Sequence, residues 1–582
     1  MKGLPRIGVN GTSRIMTDVF NGYHNALKIS DGEWQYTENL STRNYPMLSP
    51  RGLRGTVGQL VDPGGLLEKD ALAYVDNGTL YYNDLATGLN TLSSGEKKMV
   101  SMGAVLCIWP DKKYYNTADG TFGSMEADFS STGNVEYRMC RSDGSEYSSV
   151  STGSTAPAQG SCEVWIDTSG SSPAAMEWST SEGGWTLIPA MFTKLKFSSM
   201  GQIPQQFKAN DGVSISGADF EDANGEKVIY SLGGSEENND WIVVVGMLES
   251  NMTQTTGSVR IQRKIPPMDF VIECQNRLWG CFYGNDGTQN VNEIYCSALG
   301  DFRNWRQYQG LSTDSWAASV GSDGVWTGAV NYLGHPVFFK ENVIHRVTIS
   351  SVGAHQIDET ICRGVQKGSS KSLQVVNETL FYKSRYDVCA WQGGFPESAS
   401  EALGDKRYFE AVAGAFGGRY YVSMKDESNA WTLFCYDIAR GIWMREDALH
   451  AFCFAKVDDE LYCVDADSKK LLALNGTTGT LESVVSWEAV SGIQYYEYPD
   501  KKYISRFNIR LSMDEGASVT VYLQYDSDGV WIPSGLVQRT GTGTVTIPFR
   551  PRRCDHMQIK LEGRGNARIF SIARILEVSS DR

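Results

Sequence analysis

The chain has 582 residues, a formal net charge of −15 at pH 7 and no apolar run long enough to cross a membrane as a helix. The charge disfavours a broad duplex-DNA-binding face, because affinity for phosphates comes from clustered lysine and arginine. With 60 glycines, 28 tyrosines and 11% aromatic residues, the composition is typical of an all-β protein and not of a helical bundle. The length predicts about three or four domains.

Residues 1–55 are polar, contain three prolines (Pro5, Pro46 and Pro50) and fit no repeat. We expect an extended N-terminal arm that crosses the surface of the next domain and contributes a strand or two. The first six residues lack the apolar core of a signal peptide, so we expect synthesis in the cytoplasm. The twelve cysteines are scattered and form no CxxC pair, which predicts buried, reduced thiols.

A hairpin pattern then repeats along the chain. In residues 73–82 (AYVDNGTLYY), a short β-rich run ends in a polar turn, and a second run opens with an aliphatic or aromatic pair. Turn residues such as Asn-Gly tolerate a positive φ. Related hairpins include or end at residues 105–109 (VLCIW), 271–279 (VIECQNRLW), 337–339 (VFF), 380–382 (LFY), 420–422 (YYV) and 461–463 (LYC).

The last four copies are 43, 40 and 41 residues apart. A period of about 40–45 residues with four short strands per unit predicts a β-propeller. We assign residues 56–127 and 263–478 to it and expect six or seven blades. The alternative is a run of unrelated β-meanders.

Residues 128–262 interrupt this period. They are rich in Ser, Thr and Gly, with seventeen acidic and seven basic residues between 128 and 260. Strand patterns occur at 192–197, 212–217 and 241–245. We expect an acidic, β-rich insertion domain, a small β-barrel or β-sandwich, within an early blade.

Residues 484–582 follow the last copy of the hairpin. Alternating runs at 503–511, 519–523 and 557–561 predict a C-terminal β-sandwich. Its last segment, 541–582, has eight basic and four acidic residues, which we interpret as ordinary strand charge, with a partner-facing edge as the alternative.

No catalytic motif appears. The six histidines show no HExxH spacing and no GxSxG sequence occurs. Residues 364–372 resemble a phosphate-binding loop but fail its spacing, so we expect a blade loop, and residues 322–326 predict a turn with a buried tryptophan. The segment beginning at Asp465 lacks the glycine and glutamate of an EF-hand loop. The sequence therefore predicts no catalytic, cofactor-binding or metal-binding residue, no cofactor, and a protein that is not an enzyme.

Six segments carry structural motifs: residues 20–25 (FNGYHN), 38–42 (ENLST), 45–51 (YPMLSPR), 211–217 (DGVSISG), 292–302 (NEIYCSALGDF) and 551–556 (PRRCDH). They resemble a family of tailed-phage structural proteins, known as packaged-DNA-stabilisation, tail-hub or nozzle proteins and frequent in phages of Gram-positive gut bacteria. The resemblance covers nearly the whole chain, and none of its motifs is catalytic.

The resemblance implies a structural virion protein that forms a ring, a hexamer by family analogy, below the portal and adaptor of a phage tail. The ring would continue the DNA channel, help to retain packaged DNA and contact other tail proteins. A net-acidic chain fits passage of the genome without specific binding. The expected location is the virion tail, after synthesis in the host cytoplasm.

Two other functions remain open. One is a host-surface binding module of a tail tip, in which the insertion or the C-terminal sandwich binds carbohydrate. The other is a polysaccharide-degrading propeller enzyme, a glycosidase or lyase. Exposed Trp and Tyr on distal loops would favour the binding module.

Overall fold

The computed structural model describes residues 12–26, 28–352, 354–496, 501–548 and 550–578. Within these ranges the regular secondary structure is almost entirely β-strand, and the one α-helix, Gln202–Gln206, is five residues long. The predicted all-β fold class is confirmed. The short 3-10 turns are Thr42–Asn44, Glu221–Ala223, Ser370–Ser372 and Glu401–Leu403.

Seven antiparallel sheets form the blades of a propeller, numbered here in chain order. Blades 1 and 2 comprise Pro63–Lys69, Ala71–Asp76, Thr79–Tyr82 and Leu85–Ala86, then Lys98–Met102, Val105–Trp109, Lys113–Asn116 and Phe122–Ser124. Blades 3 and 4 comprise Phe270–Glu273, Leu278–Asn285, Asn290–Cys296 and Trp316–Ser319, then Gly328–Tyr332, His335–Lys340, Val343–Thr348 and Gln356–Ile361. Blades 5 and 6 comprise Gln374–Val376, Thr379–Lys383, Val388–Trp391 and Glu397–Ser398, then Tyr408–Phe416, Arg419–Asp426, Trp431–Asp437 and Ile442–Asp447. Blade 7 comprises Ala451–Val457, Glu460–Asp465, Lys470–Ala473, Gly55–Gln59 and Thr480–Leu481.

The blades form a closed ring. The first strands of successive blades contact one another, and the first strand of blade 7 contacts that of blade 1. Between blades 4 and 5 the 3-10 turn Ser370–Ser372 supplies the contact. Gly55–Gln59, which precedes blade 1, pairs with Lys470–Ala473, so that chain segments from both ends of the propeller close blade 7. Each blade thereby covers a face that it could not bury alone.

The hairpin turns explain the sequence repeat. Asn77 and Gly78 have φ of 47° and 74°, and Leu333 and Gly334 have φ of 49° and 78°. Two consecutive positive φ values give a turn whose twist matches that of the flanking strands. In blade 1 the repeated motif lies in the second hairpin, whereas in blades 3 to 7 it lies in the first.

The segment between blades 2 and 3 forms three further sheets. One contains Ala127–Ser130, Arg260–Arg263, Gly212–Ser216 and Gly225–Val228, and the second contains Ser231–Ser235, Asn238–Val245, Phe192–Met200, Val135–Cys140 and Met252–Gln254. The third, small sheet contains Val150–Gly153, Val164–Asp167, Ala174–Ser179 and Gly184–Leu187. All three sheets contribute side chains to one apolar core, for example Tyr137, Ile166 and Ile215.

The base of this insertion packs against the long loop of blade 3. Asp211 lies 2.6 Å from the Arg263 guanidinium, with both side chains buried. The Gly212 amide donates to Asn304 at 3.0 Å, and a Cβ on Gly212 would lie 2.3 Å from the Arg306 backbone. Only glycine permits this approach, which gives a structural role to two residues of the 211–217 motif.

Two sheets form a sandwich after the propeller. One contains Thr12–Thr17, Ala567–Val578, Lys502–Met513 and Gly541–Ile547, and the other contains Gly22–Tyr23, Glu33–Glu38, Ser486–Ser491, Met557–Arg564, Ser518–Tyr525 and Ile532–Val537. The arm thus supplies strands to both sheets and also forms the short ladder Leu40–Ser41 with Ser49–Pro50. Residues 1–11 of the predicted arm lie outside the described ranges. The sandwich core continues into blades 6 and 7 through residues such as Leu433 and Leu461.

Candidate functional site

A cavity of about 890 Å³ lies on the propeller axis, at the end where the first strands of the blades begin. Lys98 and Phe270 are the first residues of the inner strands of blades 2 and 3, and Ala451 is the first of blade 7. Thr327 directly precedes the inner strand of blade 4. Strands of blades 2, 3, 6 and 7 and the segments that precede and follow blade 4 line the cavity, so the closed ring itself creates the site.

A second cavity of about 260 Å³ continues along the axis. It shares Lys98, Phe270 and Lys371 with the first cavity and is lined further along the inner strands by residues such as Val100 and Ala413. The axis is therefore open beyond the first cavity.

Half-buried aromatic side chains form much of the cavity surface. They are Phe270, Phe282, Trp431 and Phe452. The Trp431 and His450 rings are stacked, with centroids 3.8 Å apart, and His450 Nδ1 lies 2.8 Å from Asp467 Oδ1. These contacts fix Trp431 as a rigid apolar surface beside polar groups, a combination typical of small-ligand sites.

Trp109 and Trp326 also line the cavity but are 4% exposed. Their indole nitrogens are buried within the wall, with no hydrogen-bond partner in the described part of the chain. The Lys340 ammonium lies 4.5 Å from the Trp326 ring centroid. These two tryptophans therefore shape the wall, whereas the half-buried rings provide the contact surface.

Two carboxylates and four lysines accompany the aromatic rings. Glu96 Oε1 lies 3.3 Å from Lys371 Nζ, which also donates to the Phe452 carbonyl at 2.8 Å. Lys112 pairs at 2.7 Å with Glu126, which lies outside the cavity. Lys98 and Lys367 are the other two lysines, and Glu410 is the second carboxylate.

Glu410 has an unusual backbone. Its φ is +52°, and the pairing of the first two strands of blade 6 shifts register between Phe409 and Val412. The Ser369 hydroxyl accepts a hydrogen bond from the Ala411 amide at 3.1 Å, which supports this bulge. A glutamate in the left-handed region costs about 1–2 kcal/mol, and such residues cluster at functional sites. The bulge places Glu410 in the cavity lining, and its exposed carboxylate pairs with Lys425, which lies outside the lining.

The sequence predicts no catalytic or binding residue, yet three of its segments with weak motif patterns contribute to this site. Residues 364–372 form a loop between blades 4 and 5 that brings Lys367 and Lys371 to the cavity. The 322–326 segment places the buried Trp326 in the wall, and Asp467 contacts the cavity residue His450. Because four blades and the loops beside blade 4 supply the lining, no contiguous motif marks it.

The remaining chemistry is sparse in the described ranges. All twelve cysteines are free, ten of them buried, and burial raises the pKa of the Cys107 and Cys281 thiols. No group of three or more His, Cys, Asp or Glu side chains in those ranges is arranged to hold a metal ion. No helix there is long and apolar enough to span a membrane.

No family model and no curated protein matches the sequence. Among solved structures, the chain is similar to phage phi92 endosialidase, with 9% identity, a TM-score of 0.24, and coverage of 88% of this chain and 80% of that one. It is similar to an exo-β-1,3-galactanase from Phanerochaete chrysosporium, with 8% identity, a TM-score of 0.21, and coverage of 52% of this chain and 94% of that one. It is also similar to Trypanosoma rangeli sialidase, with 8% identity, a TM-score of 0.18, and coverage of 90% of this chain and 95% of that one.

These matches contradict the prediction that the chain is not an enzyme, since all three matched proteins are named as enzymes. The missing sequence motif was therefore an insufficient reason to exclude catalysis, because active-site residues in a propeller come from separate blades. Identities of 8–9% and TM-scores below 0.25 transfer no residue, substrate or activity to this chain.

Proposed function

We propose that this chain is a phage-tail protein whose propeller binds polysaccharide in the axial cavity. The observation that carries the binding part is the set of half-buried rings, Phe270, Phe282, Trp431 and Phe452, beside lysine and glutamate side chains. The apolar C–H face of a sugar packs against an aromatic ring, while its hydroxyls exchange hydrogen bonds with charged side chains. The cavity volume suits a few sugar units.

The test is calorimetric titration of the full chain with polysaccharides from Gram-positive cell surfaces. Trp431→Ala and Phe452→Ala should each weaken binding about tenfold or more, because truncating a central aromatic contact removes over 1 kcal/mol. Phe395→Ala is the matched control, since Phe395 is 77% exposed and does not line the cavity.

A tryptophan variant in the insertion tests whether polysaccharide binds there and not in the axial cavity. Trp178 and Trp185 lie opposite each other on the small sheet of the insertion, with ring centroids 5.8 Å apart. If Trp178→Ala abolished polysaccharide binding and Trp431→Ala left it unchanged, the insertion would be the binding site and the axial proposal would be wrong.

Glycoside hydrolysis at the same cavity is the second candidate function. Such hydrolysis uses two carboxyl groups that flank the scissile bond, and among the described residues lining the cavity the carboxylates are Glu96 and Glu410. The left-handed bulge that presents Glu410 favours this candidate. Glu410→Gln and Glu96→Gln should abolish release of reducing ends from a bound polysaccharide while Glu378→Gln, in an exposed blade 5 turn, retains it.

The position in the tail is a separate part of the proposal and is supported by the sequence resemblance. We place the chain in a hub or nozzle ring below the portal and adaptor, where it would continue the DNA channel and help to retain the genome. Native mass measurement and imaging of purified virions test this position. A tail ring containing the chain supports it, and virions that lack the chain would refute it.

A further inference from the structure

The axial cavity is positively charged in a negatively charged protein. Lys98, Lys112, Lys367 and Lys371 line it against Glu96 and Glu410, whereas the whole chain has a net charge of −15. Acidic side chains that surround a propeller would repel anions, so a local excess of lysine at its axis requires an explanation.

Two of the four lysines that line the cavity are not used in its ion pairs. Glu96 pairs with Lys371, and Lys112 and Glu410 pair with residues outside the lining. In the part of the chain that the structure describes, neither Lys98 nor Lys367 forms an ion pair. Lys98 belongs to blade 2 and Lys367 to the loop between blades 4 and 5, and both residues line the same cavity.

Among the described residues, Lys98 is held in place without a carboxylate at ion-pair distance, although Glu96 and Asp269 lie near enough to favour its charged form. Its ammonium donates to the Asp269 carbonyl and lies 4.0 Å from the Phe270 ring centroid. Burial lowers the pKa of Lys98, because desolvation disfavours its charged form. An anionic group on a ligand would pair with the Lys98 ammonium. Their attraction would be stronger here than in bulk water, because the site is partly shielded from solvent.

Lys367 differs from Lys98 in being exposed. It lies in the loop between blades 4 and 5, at the mouth of the cavity, and its backbone amide donates to Glu341 at 3.2 Å. This contact anchors the loop while the side chain remains available to a ligand. The two lysines thus offer one fixed and one adaptable contact for negative charge.

We infer that the polysaccharide bound in this cavity is anionic, with carboxylate or phosphate groups contacted by Lys98 and Lys367. The inference rests on the proposed function and names the ligand class of the same site. Aromatic rings would contact the sugar faces, and the lysines would select the charged units. A neutral glucan would leave both ammonium groups without an anion.

The experiment titrates the full chain with three polymers of matched length: dextran, hyaluronan and glycerol-phosphate teichoic acid. At low salt, hyaluronan or teichoic acid should bind at least about tenfold more tightly than dextran, and the difference should shrink at high salt. The better of the two anionic polymers identifies whether carboxylate or phosphate is the preferred group.

Lys367→Glu should remove about tenfold or more of the anionic affinity and reduce any dextran affinity much less. Lys470→Glu is the matched control, because Lys470 is exposed on the third strand of blade 7 and does not line the cavity. Lys98→Met is the second variant, with an apolar chain of similar length, and its folding is checked by circular dichroism. It should also reduce the anionic preference.

Equal binding of dextran and both anionic polymers would overturn the inference while the proposed carbohydrate function stands. An anionic preference that Lys367→Glu and Lys98→Met both leave intact would likewise overturn it. Failure of all three polymers and of cell-surface polysaccharide to bind would instead refute the proposed function.

Discussion

The base of the insertion and the axial cavity treat charged side chains in opposite ways. At the insertion, Asp211 and Arg263 pair directly and are almost completely buried. At the cavity, Lys98 has a carbonyl and an aromatic ring as neighbours, and Lys367 points to solvent without a carboxylate. Charge at the base of the insertion is neutralised within the chain, whereas charge in the proposed binding cavity is left for a ligand.

The largest expected change in stability follows from breaking the buried Asp211–Arg263 ion pair. Asp211→Ala should lower the free energy of unfolding by about 3–5 kcal/mol, because it leaves the buried Arg263 guanidinium without an anion. Denaturant unfolding followed by fluorescence measures the change. Glu226→Ala, which removes the more exposed partner of Arg306, should cost less than about 1 kcal/mol. Similar losses for both variants would show that the buried pair has no special role.

A half-buried histidine, His355, provides a third case, in which burial favours the neutral form of the side chain. His355 packs against the rings of Trp279 and Trp316, and burial, with a smaller contribution from Arg277, lowers the pKa of His355 to about 4. Between pH 6.5 and 4 the unfolded chain therefore binds a proton that the folded chain does not, so stability falls as the pH is lowered through this window. We expect a loss of about 2 kcal/mol, because solvent near the half-buried ring screens part of the effect.

His355→Phe retains an aromatic ring between the tryptophans and cannot take up a proton. Thermal unfolding at several pH values should show a shallower decline between pH 6.5 and 4 in this variant than in the parent chain. Parallel pH profiles would show that His355 does not cause the acid sensitivity.

The smallest expected effect on stability is at Glu410. Glu410→Gly removes the strain of a left-handed glutamate but adds freedom to the unfolded chain, so the free energy of unfolding should stay constant or rise by up to about 1 kcal/mol. Polysaccharide affinity or hydrolysis should nevertheless decrease. Glu378→Gly is the matched control, since Glu378 has φ of 59° in an exposed turn away from the cavity. Loss of stability with unchanged ligand affinity would make Glu410 a purely structural residue.

The sequence predicted the propeller because its signal is local. Turn residues such as Asn77 and Gly78 and the apolar second strands recur in most blades, so neighbouring residues alone specify each hairpin. The choice between six and seven blades depended on distant pairing. Gly55–Gln59 completes blade 7 from about 400 residues away, and a long loop between Cys296 and Trp316 stretches the repeat in blade 3.

The candidate site could not be predicted in the same way. Lys98, Lys367, Glu410 and Trp431 have no common spacing and meet only because the ring closes. Residues 364–372 form a loop between blades 4 and 5, as the sequence predicts, but their contribution to a cavity depends on the other blades around it. A useful signal was available in the lysines near the starts of inner strands, once those strands were known.

The most direct test of the axial site is an experimental structure of the full chain with a bound anionic oligosaccharide. The account predicts sugar density at the propeller axis, packed on Trp431 and Phe452 with an anionic group near Lys98 and Lys367. Density on the small sheet of the insertion or on the C-terminal sandwich, with an empty axis, would contradict it.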